Sequence, residues 1–312
     1  MKDPAHLITL FDLSSHEIES IFSITEDLKV KFEEGHRDEL LPGRVLALLF
    51  EKPSLRTRVS FETAMLHLGG GSLFLGDDVG FGKRETVADF GRVLSAYVDV
   101  IVVRAKQHQT VVELARHSTC SVINGLTDEA HPCQALADLF TLRERFGSFT
   151  AGRLAWIGDG NNVARSLAIG CALVGMPFVA AMPPGYELDP QVIADIQSTL
   201  PQAQIAVTND PREAVRESIA VYTDVWASMG QEEEKEQRQR DFADYQVNQT
   251  LMKQAPADAV FMHCLPARRG LEVTDQVIDG RQSIVVQQAA NRLHVQKGIL
   301  AWLLGTKGRS GR

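Results

Sequence analysis

Residues 45–68 read VLALLFEKPSLRTRVSFETAMLHL. Val45 to Phe50 is a run of apolar side chains without alternation, which fits a strand buried on both faces of a parallel sheet. Helical period begins after Ser54, with Phe61, Met65 and Leu68 on one face. Between the two lies Glu51-Lys52-Pro53-Ser54-Leu55-Arg56-Thr57-Arg58. Strand, short loop and helix N-terminus in that order make anion-binding geometry. The first N–H groups of the helix are free and its dipole turns the positive end outward; Ser54 and Thr57 add hydroxyl donors, and Arg56 adds a fork suited to phosphate. The bland alternative is an N-cap by Ser54 beside two solvated arginines. Two hydroxyls and two guanidiniums within five residues favour the phosphate site. It is not a P-loop, because the GxxxxGK[ST] spacing is absent.

Outward from this stretch the same alternation recurs. Apolar runs bounded by Gly, Pro or Asp stand at Val100 to Val103, Leu154 to Ile157, Phe178 to Ala181, Ile219 to Tyr222, Ala259 to His263 and Ile284 to Val286. All are expected to be buried parallel strands. Helical segments lie between them, such as Ser14 with Glu17 as a capping box ahead of Ile18, Ile21, Phe22, Thr25 and Leu28. This pattern means α/β architecture with helices on both sides of open parallel sheets. Pro132 to Arg145 reads as a helix leading into the small-residue connector Gly147 to Gly152. The division is therefore expected there, giving domains 1–145 and 146–288, with the last helix, 289–312, assigned to the first. Glu232 to Asp241 pairs Glu234 with Arg238 and Glu236 with Arg240 at i,i+4 and reads as a solvated helix or loop.

The 312 residues carry 32 basic and 40 acidic side chains, a net of −8, with 44% apolar and 23% charged residues. At about 150 residues per domain, two α/β domains fit the length. The apolar share excludes global disorder. The acidic balance argues against a sequence-blind nucleic-acid binder or a surface held to anionic lipid. Cys120, Cys133, Cys171 and Cys264 form no CxxC pair and have no His at zinc spacing, so a reducing cytoplasm and no metal are expected. The opening MKDPAHLITL lacks the design of a signal peptide, so export is not expected. Leu167 to Pro184 is uncharged over nearly a membrane span, but Gly175, Pro177 and Pro183-Pro184 break it into half a buried helix, a tight turn and a buried strand.

Ser54-Leu55-Arg56-Thr57-Arg58 resembles the carbamoyl-phosphate signature, SxRT or STRTR, of the aspartate/ornithine carbamoyltransferase family. Further matches follow in family order: Arg104 after the strand at Val100 to Val103, His131-Pro132-Cys133-Gln134, Asp224 with Ser228-Met229-Gly230, His263-Cys264-Leu265-Pro266, and Asn291-Arg292-Leu293-His294. The resemblance covers essentially the whole chain, and the SMG and HCLP elements are similar to the ornithine branch. It implies two α/β domains with the C-terminal helix packed back on the N-terminal one. It also implies carbamoyl transfer from carbamoyl phosphate to the δ-amine of L-ornithine, giving L-citrulline and phosphate in arginine biosynthesis or the reverse catabolic route. No metal or organic cofactor is implied, and no nucleic acid or membrane. The expected assembly is a homotrimer, or a multiple of one, in the cytoplasm.

On that resemblance, Ser54, Leu55, Arg56, Thr57, Arg104, His131, Gln134, Cys264, Leu265 and Arg292 bind carbamoyl phosphate. Asn162, Asp224, Ser228 and Met229 bind ornithine, and the catalytic set is Cys264, Asp224, Arg104 and His131. The chemistry is coherent with those residue types. Attack on the carbonyl drives charge onto its oxygen, where Arg104 and His131 are prearranged donors. Gln134, three residues past His131 and on the same helix face, holds the carbamoyl amide. The δ-amine, with a pKa of about 10.4, must lose a proton before it attacks. Asp224 and Cys264, each at the carboxyl edge of an expected strand, and the leaving phosphate are all acceptors for it. Capping is the structural alternative for Asn162, which follows Asn161 at a helix start. Gly230 and the charged run after it suggest a loop that closes over ligand. Two departures from the family pattern stand out. Gly80 replaces the Gln or His that reaches a neighbouring subunit's carbamoyl phosphate, with Lys83 or Arg84 as substitutes, and Arg268 stands where His is usual.

Rival readings leave traces of their own. Gly158-Asp159-Gly160 after a strand is the start of a dinucleotide fingerprint and hence of an oxidoreductase. However, Val163 replaces the third Gly, and no ribose-binding acid appears near Met182 to Gly185. A non-catalytic scaffold would be expected to have lost one of Arg56, Arg104, His131, Asp224 or Cys264. Aspartate as acceptor favours an HPLPR-like segment, whereas Asp224 and Cys264-Leu265 suit a cationic side chain. Ser228-Met229-Gly230 favours ornithine over N-acylated ornithine or putrescine.

Overall fold

In the computed structural model, which describes residues 5–227 and 234–305, the strands β1 (Val45–Phe50), β2 (Gly71–Leu75), β3 (Val100–Arg104) and β4 (Ser121–Leu126) form a parallel sheet ordered β2-β1-β3-β4. A second parallel sheet, ordered β7-β6-β5-β8-β9, is built from β5 (Arg153–Ile157), β6 (Phe178–Ala181), β7 (Ile205–Thr208), β8 (Ser218–Thr223) and β9 (Val260–Met262). The helices are α1 (Ser15–Glu33), α2 (Leu55–His67), α3 (Val87–Leu94), α4 (His108–His117), α5 (Pro132–Phe146), α6 (Asn162–Val174), α7 (Pro190–Thr199), α8 (Pro211–Val215), α9 (Lys235–Asp241), α10 (Gln249–Met252), α11 (Asp275–Ile278) and α12 (Val285–Gly305). Each sheet is flanked by helices, as the β/α alternation requires when both faces of a parallel sheet must be covered.

Two compact units divide the chain: one runs to Leu136 and resumes at Asn291, the other is Ala137–Ala290. From Ala137 on, α5 belongs to the second unit, where Asp138 forms hydrogen bonds with Tyr222 of β8 and with Gln288. From Asn291 onward, α12 packs on the first unit. Lys29 of α1 donates to Asn291 Oδ1 at 2.9 Å, and Lys297 donates to the Leu28 carbonyl at 3.1 Å.

Local signals act as their chemistry dictates. Ser14 and Glu17 close a reciprocal capping box at the start of α1. The uncharged stretch Leu167 to Pro184 becomes the buried end of α6, a left-handed turn at Gly175 (φ 72°) and β6. Among the described residues no helix is long and apolar enough to cross a membrane.

Ile284 to Val286 is not a strand. Ser283 makes one isolated bridge to Phe261, the Ile284 N–H donates to the Phe261 carbonyl, and α12 then begins at Val285, with Val286 77% exposed. Three β-branched residues in a row conceal a helix's first turn. Three strands lie outside the apolar runs singled out in the sequence. β2 and β7 are half-exposed edge strands, and β4 buries Ser121 and Asn124, whose Nδ2 donates to the carbonyls of Ile8 and Ala130.

Candidate active site

In the first unit, β1 delivers the chain to the N-terminus of α2. Ser54 is the N-cap: its Oγ accepts the Thr57 N–H at 3.3 Å and donates to Thr57 Oγ1 at 3.2 Å. Thr57 is thereby drawn inward and buried, Arg56 stays half-buried, and the Leu55 side chain points out, 75% exposed. β3, paired with β1 so that Phe50 opposes Arg104, sets the buried Arg104 at its own carboxyl end. The N-terminal turn of α5 contributes His131, which just precedes the helix, and Gln134, both buried. Arg292 of α12 completes the group. Its Nη1 donates to Gln134 Oε1 at 2.5 Å and its Nη2 to Thr57 Oγ1 at 3.4 Å.

Burial, followed by the charges of Arg292, Arg104 and Arg56, holds the His131 imidazole well below its ordinary pKa. His131 is therefore neutral at neutral pH and offers one N–H as a hydrogen-bond donor. Three guanidiniums, a neutral imidazole and a hydroxyl-lined helix N-terminus within one unit make a receptor for a small oxyanion with a polarisable carbonyl.

In the second unit, β8 ends at Asp224 and β9 leads into His263-Cys264-Leu265. Cys264 Sγ donates to Asp224 Oδ1 at 3.1 Å. Burial first, then the carboxylate of Asp224, push the Cys264 thiol well above its ordinary pKa. It stays protonated at neutral pH, so it serves as a donor and not as the base that strips an ammonium. Leu265 adopts φ 58°, the one positive φ outside glycine among the described residues, and its N–H donates to His263 Nδ1 at 2.9 Å. The other ring nitrogen of His263 faces Glu272 Oε1 at 3.2 Å.

The ligand atoms of Asp224, His263 and Cys264 lie within 4.8 Å of one another. They do not make a metal-ligand set as they stand, because both imidazole nitrogens are committed and the thiol is protonated.

Of the glycines after β5, Gly160 serves packing, since a Cβ there would lie 2.5 Å from the Glu187 backbone, while Gly158 takes a left-handed φ of 139°. It is Asn161, rather than Asn162, that caps α6. Its Oδ1 accepts the N–H groups of Val163 and Ala164 at 2.9 and 3.1 Å, and its Nδ2 donates to Asp224 Oδ2 at 3.0 Å. Asn162 occupies the first helical turn, half-buried. Ser228, Met229 and Gly230 lie outside the described residues.

The charged run after them is not a wholly solvated face. Glu234 pairs with Arg238 as expected, at 2.8 Å, but Arg238 is buried, donates to the Trp226 carbonyl at 2.9 Å and meets Asp159 at 3.2 Å. Arg240 turns to Gln237 rather than Glu236. Desolvation pushes the Asp159 carboxyl up to about 6. Sequence spacing reveals the i,i+4 pair but not a distant acid, which is why Asp159 escapes it.

Gly80 takes φ 69°, and a Cβ there would meet the Arg84 side chain, so a larger residue needs both a left-handed backbone and a shift of that side chain. Arg268 is exposed and contributes its backbone N–H to Glu272 Oε1 at 2.5 Å.

Comparison with known proteins agrees with both halves. Residues 5–144 match the aspartate/ornithine carbamoyltransferase carbamoyl-P binding domain, and residues 152–303 match the Asp/Orn binding domain of the same enzymes. The ornithine carbamoyltransferase of Anoxybacillus flavithermus is 51% identical over 300 residues, 95% of this chain and 96% of its own. A Pyrococcus furiosus protein named as the anabolic ornithine carbamoyltransferase is 48% identical over 302 residues, 96% of each chain. The solved structure of ornithine carbamoyltransferase from Pyrococcus furiosus superimposes with a TM-score of 0.94 at 47% identity, covering 97% of this chain and 98% of that one. The one from Thermus thermophilus gives 0.87 at 43% identity, with 96% and 99% covered.

Proposed function

Since the chain belongs to the aspartate/ornithine carbamoyltransferase family, we propose that it transfers the carbamoyl group of carbamoyl phosphate to the δ-amine of L-ornithine, giving L-citrulline and phosphate. The observation that carries this reading is the convergence of Arg56, Arg104 and Arg292 on a neutral, buried His131 beside the Ser54-capped helix. Ser54, Thr57 and Arg56 hold the phosphate, with the α2 N-terminus supplying backbone N–H groups. Leu55 contributes through that backbone, since its side chain faces away. Arg104 and His131 donate to the carbonyl oxygen, where negative charge develops in the transition state. Gln134, fixed by Arg292, holds the carbamoyl amide.

The second unit receives the amine. Asp224, held by Asn161 and by Cys264, faces the cationic end of ornithine, with Asn162, Ser228 and Met229 as its further contacts. The δ-amine binds as the free base, its first proton given up to solvent; its nitrogen attacks the carbonyl carbon, the C–O bond to phosphate breaks, and the leaving phosphate takes the second proton from the nitrogen. No metal or organic cofactor enters this scheme.

A homotrimer or multiple of one is supported by an apolar surface on the first unit. Leu55, Val59 and Leu66 of α2 and Leu73 of the edge strand β2 stand exposed by 75%, 49%, 63% and 51%, more than a monomer's surface ordinarily leaves in one neighbourhood. Light scattering is expected to return a mass divisible by three protomers; a monomer refutes the trimer. Cytoplasmic location is supported by four cysteines without a disulfide. An anabolic relative supports a place in arginine biosynthesis.

An acceptor panel tests the function. Citrulline is expected from ornithine at a rate far above the product from N-acetylornithine, putrescine or aspartate. Transfer to aspartate in preference to ornithine would overturn the acceptor assignment.

A further inference from the structure

Asp138, Tyr222 and Gln288 are fully buried polar side chains to which the reaction as described gives no role. Tyr222 lies in β8 two residues before Asp224, Asp138 on α5 and Gln288 in the first turn of α12, all within the second unit. The Tyr222 hydroxyl donates to Asp138 Oδ2 at 3.0 Å. Gln288 Nε2 donates to Asp138 Oδ1 at 2.7 Å and to the Tyr222 oxygen at 3.0 Å, so the three side chains close a ring of hydrogen bonds. Trp156 stacks on the Tyr222 ring, with centroids 5.1 Å apart, and fixes its plane.

The ring has two outlets, and both lead to consecutive residues of the acceptor half. Gln288 Oε1 accepts the backbone N–H of His263 at 3.0 Å, while the Tyr222 hydroxyl reaches the thiol of Cys264. That thiol donates to Asp224 Oδ1. An apolar trio of the same shape would avoid the desolvation of three polar groups at little loss of stability. Polar atoms here do what an apolar core cannot: they fix the direction of a thiol and the position of the chain that carries it.

We propose that Asp138, Tyr222 and Gln288 are positioning residues that hold the Cys264 thiol in line with Asp224, and so prepare the site that receives the amine. The claim rests on the carbamoyl-transfer reading above for its kinetic consequence only. Tyr222→Phe removes the oxygen beside Cys264 and leaves the Asp138–Gln288 bond intact. Asp138→Asn preserves shape but sets an amide donor against the Tyr222 or Gln288 donor, and so tests the same ring from the other side.

Two readouts on the full-length protein decide it. Citrulline formation by Tyr222→Phe is expected to lose about tenfold in kcat, with the KM for carbamoyl phosphate within about twofold of the parent, as when an interaction at the reacting centre alone is removed. Alkylation of Cys264 by iodoacetamide, followed on its own peptide by mass spectrometry, is expected to shift its pH midpoint upward by about one unit, because the hydroxyl that turns to the thiolate as it forms is gone. Tyr97→Phe, an exposed site, is the control and shifts neither.

Should Tyr222→Phe fail to fold, Asp138→Asn is read on the same two measurements, with the same loss in kcat expected but an alkylation midpoint that moves downward, because the Asp138 charge that holds the thiol up is gone. A folded variant with parental kcat and a parental alkylation profile overturns the proposal and leaves the ring a packing device. If the parent itself makes no citrulline, the transfer reading fails, and the alkylation profile alone decides the positioning claim.

Discussion

Asn161 and Asn162 show at single-residue scale how much a neighbour's identity conceals. Either could cap the helix that follows, and an Asn-Asn pair gives no reason to prefer one. Backbone geometry decides: Asn161 is the extended residue whose Oδ1 meets two free N–H groups, and its Nδ2 is thereby aimed at Asp224. Asn161→Ala is expected to cost about 1 kcal/mol in helix capping and to raise the KM for ornithine more than that for carbamoyl phosphate. Asn162→Ala should leave the cap, and hence the melting temperature, unchanged. Thermal melts with steady-state kinetics separate the two; a lower melting temperature for Asn162→Ala instead would reverse the assignment.

His294 makes a second prediction at this scale. Burial, then the charges of Lys297, Lys29, His67 and Arg37, push its pKa down to about 3. The unfolded chain takes up a proton near pH 6.5 that the folded chain refuses until about pH 3, so unfolding binds protons in that window. The stability owed to a neutral His294 is complete above pH 6.5 and drains away as the pH falls toward 3. Calorimetric melting temperatures should fall from pH 7 to pH 4, and His294→Gln should flatten that slope; an unchanged slope contradicts the buried neutral ring.

At the scale of elements, what the sequence made legible followed burial. Val45–Phe50, Leu154 to Ile157 and Phe178 to Ala181 are buried on both faces and announce themselves as continuous apolar runs. β2 and β7 lie at sheet edges, where side chains meet water, and their apolar stretches are only three residues long. β4 is buried yet carries Ser121, Asn124 and Gly125, because side-chain amide bonds replace apolar packing there. Ile284 to Val286 misled in the opposite sense: β-branched chemistry belongs to a helix start whose first residues pack on β9. Arg104 was reached through the family resemblance, whereas Ser54 was readable because a helix start after a strand has a local signature. Asp138, Gln288 and Arg238 were not, since their partners are distant in sequence.

The seam between α12 and α1 is testable at this same scale. A Cβ on Gly298 would sit 2.1 Å from Thr25 Oγ1 and 2.9 Å from the Ile21 carbonyl. Gly298→Ala is expected to destabilise by about 1–3 kcal/mol through overpacking, despite alanine's better helix propensity. Urea unfolding that showed equal or greater stability would mean the two helices are not in close contact at this position.

Across the whole molecule, labour is divided between two units of the same construction. The first gathers positive charge and hydroxyls at the carboxyl ends of β1 and β3. The second gathers an acid, a protonated thiol and amide partners at the carboxyl ends of β8 and β9 and the start of α6. Parallel sheets favour this, since strand ends and helix N-termini collect on one edge. α5 and α12 each contribute to both units: Gln134 and Arg292 belong to the anion receptor of the first, Asp138 and Gln288 to the buried ring of the second. The acidic net charge of −8 is thus compatible with a strongly basic receptor for a small dianion, because the positive groups are concentrated at one site.

Calorimetric titration of carbamoyl phosphate into the parent protein and into Arg56→Ala, Arg104→Ala and Arg292→Ala, each checked for folding by its melting curve, reaches that receptor most directly. The expected result is saturable binding to the parent and at least about tenfold weaker binding for every variant, since each loses a charge-assisted contact worth about 1.5 kcal/mol or more. Folded variants that bind the acyl phosphate as the parent does, or a parent that does not bind it, would contradict the convergence of the three guanidiniums on one ligand.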